Sequence, residues 1–353
     1  MTARVIIHIG LHKTGTRFLR RRVFEQLDPD DFIYNPGWLI TPLRRAVRYR
    51  DQPETAKDLE AAVTAWRESD NQRTLVLSEP HAGGDMYGMH EGCDINAALL
   101  RRVFPEAIII YFVREHASWL QSAYRQSLVK DPGQSIQRFL NFYDGAFHGR
   151  PARRVAGNRN VEALGHDFLG IYHAYARQFG TDRVYLLRQE SLRDRTEAVE
   201  ARVAEALGMH KLPPPPASTS ANRSFSALAI MLFFPGVWLR RRRPPVTSDT
   251  GTSAWRSRLN VLRKLRTNFI RHVFDRLIYI DWDLLQADDM RRRIEAHYQD
   301  EQRRLREIAE AILDEGPSAV DEEPCQPPGA SATVPLDQAT PDASRGYGET
   351  NAR

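Results

Sequence analysis

The stretch Val5-Ile6-Ile7-His8-Ile9-Gly10-Leu11-His12-Lys13-Thr14-Gly15-Thr16-Arg17-Phe18-Leu19 decides the fold. Its first five residues are mostly apolar and β-branched, as a short strand buried on both faces requires. Two glycines then bracket a tight turn, and the residues after Gly15 open a helix. A strand, a glycine-bearing loop and a helix start, in that order, aim backbone N–H groups and the positive helix end at one spot. Such a spot suits an anion. For the loop alone, the plainer alternative is an ordinary strand-turn-helix with a surface lysine.

Working outward, Phe104-Pro105-Glu106-Ala107-Ile108-Ile109-Ile110-Tyr111-Phe112-Val113-Arg114 is a near-continuous apolar run that ends on a charge, again like a parallel strand buried on both faces. A helical pattern starts at His116 and carries Ser122 about two turns along. Arg114 at the strand's carboxyl end and the Ser122 hydroxyl can therefore meet one ligand, since ligands of open α/β sheets bind beyond the carboxyl ends of strands. Thr74-Leu75-Val76-Leu77-Ser78-Glu79-Pro80-His81 and Val184-Tyr185-Leu186-Leu187-Arg188 read as two further strands. A helix from Glu197 stops at Gly208. Strands alternating with helices imply a parallel sheet wrapped by helices.

The loop differs from a Walker A loop, G-x-x-x-x-G-K-[ST], because Lys13 precedes the second glycine instead of following it. The order Lys13-Thr14-Gly15-Thr16 instead resembles the 5′-phosphosulfate loop of the sulfotransferases that use 3′-phosphoadenosine 5′-phosphosulfate (PAPS). Arg114-x7-Ser122, followed by Tyr124, is similar to that family's 3′-phosphate motif. A third, weaker segment is Ser220-Ala221-Asn222-Arg223-Ser224, after the proline run 213–216. It is similar to a family loop that closes over the 3′-phosphate, and it reads equally well as a polar loop with a helix cap. The resemblance covers residues 4–230 in good order and thins beyond them.

It implies an α/β, three-layer P-loop-like fold: a central, mostly parallel sheet flanked by helices, with a helical C-terminal part. The expected domain spans 1–315, with a PAPS-binding core over 4–230 and the helical part over 227–315; residues 316–353 form a tail expected to be disordered. By the same resemblance, Lys13 stabilises charge on the phosphosulfate bridge, while the backbone of Thr14, Gly15, Thr16, Arg17 and Phe18 holds the 5′-phosphate. Arg114, Ser122, Asn222 and Arg223 hold the 3′-phosphate. Arg17 stands where the family commonly has threonine; it adds a charge to the clamp or points away. Glu79 sits where the family places its base, and His81 is two residues on. Position favours Glu79, while an unperturbed imidazole pKa of ~6.5 favours His81; the match in position is the better guide, so Glu79 is the expected base and His81 the alternative. The expected reaction is in-line transfer of a sulfuryl group from PAPS to a hydroxyl or amine on a saccharide, lipid head group or small metabolite, releasing PAP. The rivals are a P-loop nucleotide kinase or NTPase, which would want the G-K-[ST] order and a magnesium-binding acid, and a non-catalytic membrane-associated protein.

His8, His12, His90 and His116 share no helix face in a ligand spacing, so no metal is expected. Candidate acceptor loops lie in 28–51, 83–96 and 143–159, and none carries a motif. With 353 residues, 42% of them hydrophobic, and no apolar run near twenty, the chain can bury a large core but offers no spanning helix. Met1 to Arg4 leave no room for a signal peptide, and Cys93 and Cys325 lie far apart, so a cytoplasmic location is expected.

The net charge of +5 is unevenly spread. Residues 221–276 hold twelve Arg plus Lys against two Asp, hence +10, and 316–353 hold six acids against two arginines, hence −4. The basic block contains a thirteen-residue apolar run, 227–239, followed by arginines at 240–243. A run of that length more often means a core helix beside a solvated basic loop. Its other use is peripheral contact with an anionic membrane through 227–243, at the inner face. No helix-turn-helix, zinc or RNP signature accompanies the charge, so nucleic acid is not expected as a partner. Residues 289–313 read as one charged amphipathic helix, and 316–353 carry six prolines and few large apolar residues.

Overall fold

In a computed structural model the chain divides into Met1–Asp321 and Glu322–Arg353. The structure describes residues 4–69, 72–129, 133–149, 160–214, 225–234, 237 and 265–320. The second unit, Asn222, Arg223 and the arginines at 240–243 thus lie outside the described residues.

The centre is a five-stranded, wholly parallel sheet: β1 (Val5–His8), β2 (Phe32–Tyr34), β3 (Thr74–Ser78), β4 (Ile108–Val113) and β7 (Val184–Arg188), in the order β2-β3-β1-β4-β7. A separate hairpin pairs β5 (Phe142–Tyr143) with β6 (Ala146–Phe147). The central strands are buried almost throughout. That explains their unbroken apolar runs, since a parallel strand has helices on both faces and no side for water. Flanking them are α1 (Thr16–Arg22), α2 (Gly37–Arg48), α3 (Pro53–Glu68), α4 (Cys93–Val103) and α5 (His116–Ser127). After the short helix α6 (Ile136–Phe139) come α7 (Phe168–Phe179), α8 (Ser191–Asp194), α9 (Thr196–Leu207) and α10 (Ala227–Phe233). Gly208 closes α9 in the left-handed conformation, at φ 76°.

The strand order fixes where a ligand goes. After β1 the chain builds β2 and β3 on one side, then crosses to place β4 on the other. The order therefore reverses at β1, and the crevice of an open α/β sheet lies at the carboxyl ends beside such a reversal. Three of the sequence-marked segments open there: residues 9–15 after β1, Glu79 after β3 and Arg114 after β4.

Two elements differ from the sequence reading. The single helix expected over 289–313 is two helices, Met290–His297 and Gln299–Glu315, broken at Tyr298. Tyr298 breaks it because its ring stacks on His116, 3.6 Å between centroids, and its hydroxyl donates to the Ala163 carbonyl at 3.0 Å. Residues 28–51, read as a loop, hold β2 and α2.

Candidate functional site

The loop after β1 is braced from inside. The Leu11 carbonyl accepts from the Thr14 hydroxyl at 2.8 Å and from the Thr16 hydroxyl at 3.0 Å. From outside, Trp119 of α5 donates its indole N–H to the His12 carbonyl at 2.7 Å, so the second motif's helix pins the first motif's loop. Gly10 cannot be larger, because a Cβ there would lie 2.5 Å from the His8 imidazole and 2.7 Å from the Thr16 hydroxyl. Lys13 adopts φ 72° and Gly15 φ 97°. The left-handed region is unfavourable for lysine, and strain of that kind persists only where the surroundings over-determine it. Gly15 caps α1 without a side-chain cap, and the Phe18 N–H folds back on the Gly15 carbonyl at 2.7 Å. The leading N–H groups of α1 thus face the loop.

Arg114 comes within 3.5 Å of the Lys13 carbonyl, which brings the two sequence motifs to one place. It lines a cleft of about 470 Å³ with Ser118, Gln121, Ser122, Arg125, Tyr279, Asp281, Trp282, Asp283 and Arg291. The three arginines of this cleft are treated differently. Arg125 is chelated by Asp281, at 2.9 and 2.7 Å, and Arg291 pairs with Asp283 at 2.5 Å. Arg114 is part-buried yet forms an ion pair with no carboxylate among the described residues. Burial pulls its pKa down from the usual arginine value, and the fields of Glu190 and Glu115 push back. The Ser118 hydroxyl is spent on Glu115 at 2.5 Å, while the Ser122 hydroxyl has no partner among the described residues.

On the other side of β1, Glu79 is almost wholly buried and fully engaged. One oxygen accepts from Arg44 Nε at 2.8 Å; the other accepts from His81 Nδ1 at 2.7 Å and from the His81 backbone N–H at 3.2 Å. Burial alone would raise its pKa, but the hydrogen bonds and charges of His81 and Arg44 outweigh it and hold the carboxyl at about 2. An Nδ1–H aimed at the carboxylate leaves Nε2 as the basic nitrogen of His81. Arg48 Nη2 lies 3.1 Å from the same Nδ1, where no lone pair then remains, so that guanidinium only packs beside the pair. The His81 ring meets His12 edge-on at 5.1 Å, which sets the pair against the Lys13 loop.

Lys13, Thr14, Gly15, Thr16, Glu79, His81, Arg114 and Ser122 therefore gather at the carboxyl edge of the sheet, and Phe18 lies in the first turn of α1. The side chain of Arg17, like Asn222 and Arg223, lies outside the described residues. Sequence reasoning missed Trp119, Arg44 and the Asp281 and Asp283 partners, none of which belongs to a recognisable motif. The other histidines weighed as metal ligands, His8, His90 and His116, are core groups. His8 bonds Ser78 at 2.9 Å and His90 the Gly83 carbonyl at 2.9 Å; His116 is stacked between Phe168 and Tyr298. Burial lowers their pKa values to about 3, 4 and 3. No group of three metal-ligating side chains occurs among the described residues.

No protein-family model matches the chain, and no curated protein matches it. Two solved structures similar to it are sulfotransferases. The sulfotransferase from Alicyclobacillus acidocaldarius shares 19% identity, covering 72% of this chain and 99% of its own, with a TM-score of 0.40. The sulfotransferase domain from the curacin biosynthetic pathway shares 14% identity, covering 60% of this chain and 76% of its own, with a TM-score of 0.35.

Proposed function

We propose that the protein is a PAPS-dependent sulfotransferase, moving a sulfuryl group to a hydroxyl or amine acceptor and leaving PAP. The observation that carries this reading is Arg114, a part-buried cation with no carboxylate partner among the described residues, beside the Ser122 hydroxyl and the Lys13 loop. A buried charge left unpaired is costly, and an anion that docks beside it removes the cost. Two anion-binding groups meeting at one switch point suit a nucleotide with phosphates at both ends.

PAPS, when bound, supplies a sulfuryl group on a good leaving phosphate. The chain's own residues then supply position and positive potential. The loop from Lys13 to Arg17 holds the 5′ end, with the Lys13 ammonium for the charge that gathers during transfer. Arg114 and Ser122 hold the 3′-phosphate, joined by Asn222 and Arg223. Glu79 and His81 work as one unit. A carboxyl held at about 2 is a weak base near neutrality, so Glu79 orients and polarises the imidazole, and His81 Nε2 takes the acceptor's proton. Arg44 keeps Glu79 in place.

The test is release of PAP from labelled PAPS in the presence of a panel of hydroxyl and amine acceptors, with ATP and magnesium run in parallel. Acceptor-dependent turnover of PAPS that Lys13→Ala abolishes is the expected result. Hydrolysis or transfer from ATP with strict need for magnesium overturns the reading in favour of a kinase or NTPase.

A further inference from the structure

Exposed apolar surface is concentrated in one part of the molecule. Of the thirteen large hydrophobic residues exposed among the described residues, nine fall between Met231 and Trp282: Met231, Leu232, Leu265, Phe269, Val273, Leu277, Ile278, Ile280 and Trp282. Residues 265–277 are helical, with a π turn at Ile270–Phe274. Leu265, Phe269, Val273 and Leu277 recur every four residues, which lays them along one stripe. They are 60%, 48%, 43% and 79% exposed. The opposite side of the same segment is anchored. Thr267, Ile270 and Asp275 are buried. Asp275 accepts from the Ser226 hydroxyl at 2.6 Å, and Phe274 packs on Phe233 of α10 at 5.0 Å. The stripe is therefore the outer face of a docked helix pair.

Charge selects what covers it. Residues 221–276 carry +10. Arg266 lies over the Phe234 ring at 4.5 Å, and Arg276 is exposed beside Leu277 with no ion pair among the described residues. A second copy of this face would bring Arg266 and Arg276 against arginines of the same sign. An apolar stripe edged by arginines, with an exposed tryptophan at one end, is the pattern of a helix that lies in the head-group layer of an anionic bilayer. Among the described residues no helix is long and apolar enough to cross a membrane.

We infer that this face, Met231–Leu232 with 265–282, docks the protein peripherally on an anionic lipid surface. The surface adjoins the candidate site. Trp282, exposed five residues beyond Leu277, lines both the Arg114 cleft and a second, largely apolar cleft of about 380 Å³, formed with Ile136, Ile230, Met231 and Leu284. Docking by this face brings Trp282, which lines both clefts, to the lipid. The inference stands whether or not the protein transfers sulfuryl groups.

Sedimentation of the full chain with phosphatidylcholine vesicles, with and without phosphatidylglycerol, tests it. Binding should need the anionic lipid and weaken with salt. The double variant Leu265→Asp/Leu277→Asp should lower the bound fraction by about tenfold or more, and Arg276→Glu several-fold, because apolar insertion and charge both contribute. Ile95→Asp, at an exposed apolar position elsewhere, should bind as the wild type does, and unchanged circular dichroism should show that every variant folds. No binding, equal binding to neutral vesicles, or a double variant that binds normally overturns the inference. So does concentration-dependent self-association, abolished by the double variant, in a protein that ignores vesicles.

Discussion

On the two sides of β1 the molecule treats charge in opposite ways. Toward β4, Arg114 is a cation that forms no ion pair among the described residues, at the edge of a polar cleft whose other arginines are chelated. Toward β3, Glu79 is an anion saturated by Arg44 and His81. A group whose partners all come from the fold is part of the scaffold, and its loss should cost stability. One whose partner is missing is held ready for a ligand, and its loss should cost binding while leaving stability alone. Separating these two effects is the most direct way to break the comparison.

The largest effect should come from the loop between the two sides. Lys13→Ala is expected to lower turnover of PAPS by about 10³-fold with little change in PAP affinity, the signature of a charge that acts mainly in the transition state. Equal losses of PAP affinity and turnover would reduce Lys13 to a binding residue. Next, Arg114→Ala should weaken PAP binding by about 10²-fold, as loss of a charge-assisted phosphate contact does. Its melting temperature should stay level or rise, because a part-buried charge with no ion pair among the described residues is removed; a fall of several degrees would show that its contact with the Lys13 carbonyl holds the fold. Glu79→Ala should do the reverse and destabilise the fold by about 3 kcal/mol, by leaving Arg44 and His81 without their acceptor. Urea unfolding at neutral pH reads that difference.

The smallest effect is the pH profile of stability. Glu79 is held at about 2, below its value in the unfolded chain, so its contribution is complete above ~4.5 and is lost as pH falls toward 2. His8, His90 and His116 are buried neutral, with pKa values lowered to about 3 to 4. The unfolded chain therefore takes up their protons first, and stability falls as pH drops from ~6.5 through that range. The unfolding midpoint should decline below pH ~6.5 and steepen below ~4.5. Replacing His116 with phenylalanine should flatten the upper part, and a profile unchanged by that substitution would mean that the imidazole titrates freely.

Legibility in the sequence followed the same division. Strands β1, β3, β4 and β7 stood out because burial on both faces leaves an unbroken apolar run, and each of the Lys13, Glu79 and Arg114 segments begins where such a run stops. Strand β2 escaped, since three residues between Asp31 and Asn35 carry no pattern and form a strand only by pairing with β3. Helix α2 escaped too, because Gly37 and Pro42 are poor helix formers. Burial of Leu39, Ile40, Leu43, Ala46 and Val47 overrides that propensity. Arg44 rides on this helix, so the partner that holds Glu79 was hidden with it. Asp281 and Asp283 were hidden for another reason: what matters about them is that they occupy Arg125 and Arg291 and leave Arg114 alone, and sequence cannot reveal that selectivity.

Calorimetric titration with PAP and with adenosine 5′-monophosphate, which lacks the 3′-phosphate, into wild type and Arg114→Ala would decide whether the unpaired arginine is the nucleotide's 3′-phosphate site. The wild type should prefer PAP by about 10²-fold, and Arg114→Ala should erase that preference while binding the monophosphate as before. Equal affinity of the wild type for the two nucleotides, or a preference for PAP that survives in Arg114→Ala, would contradict the account.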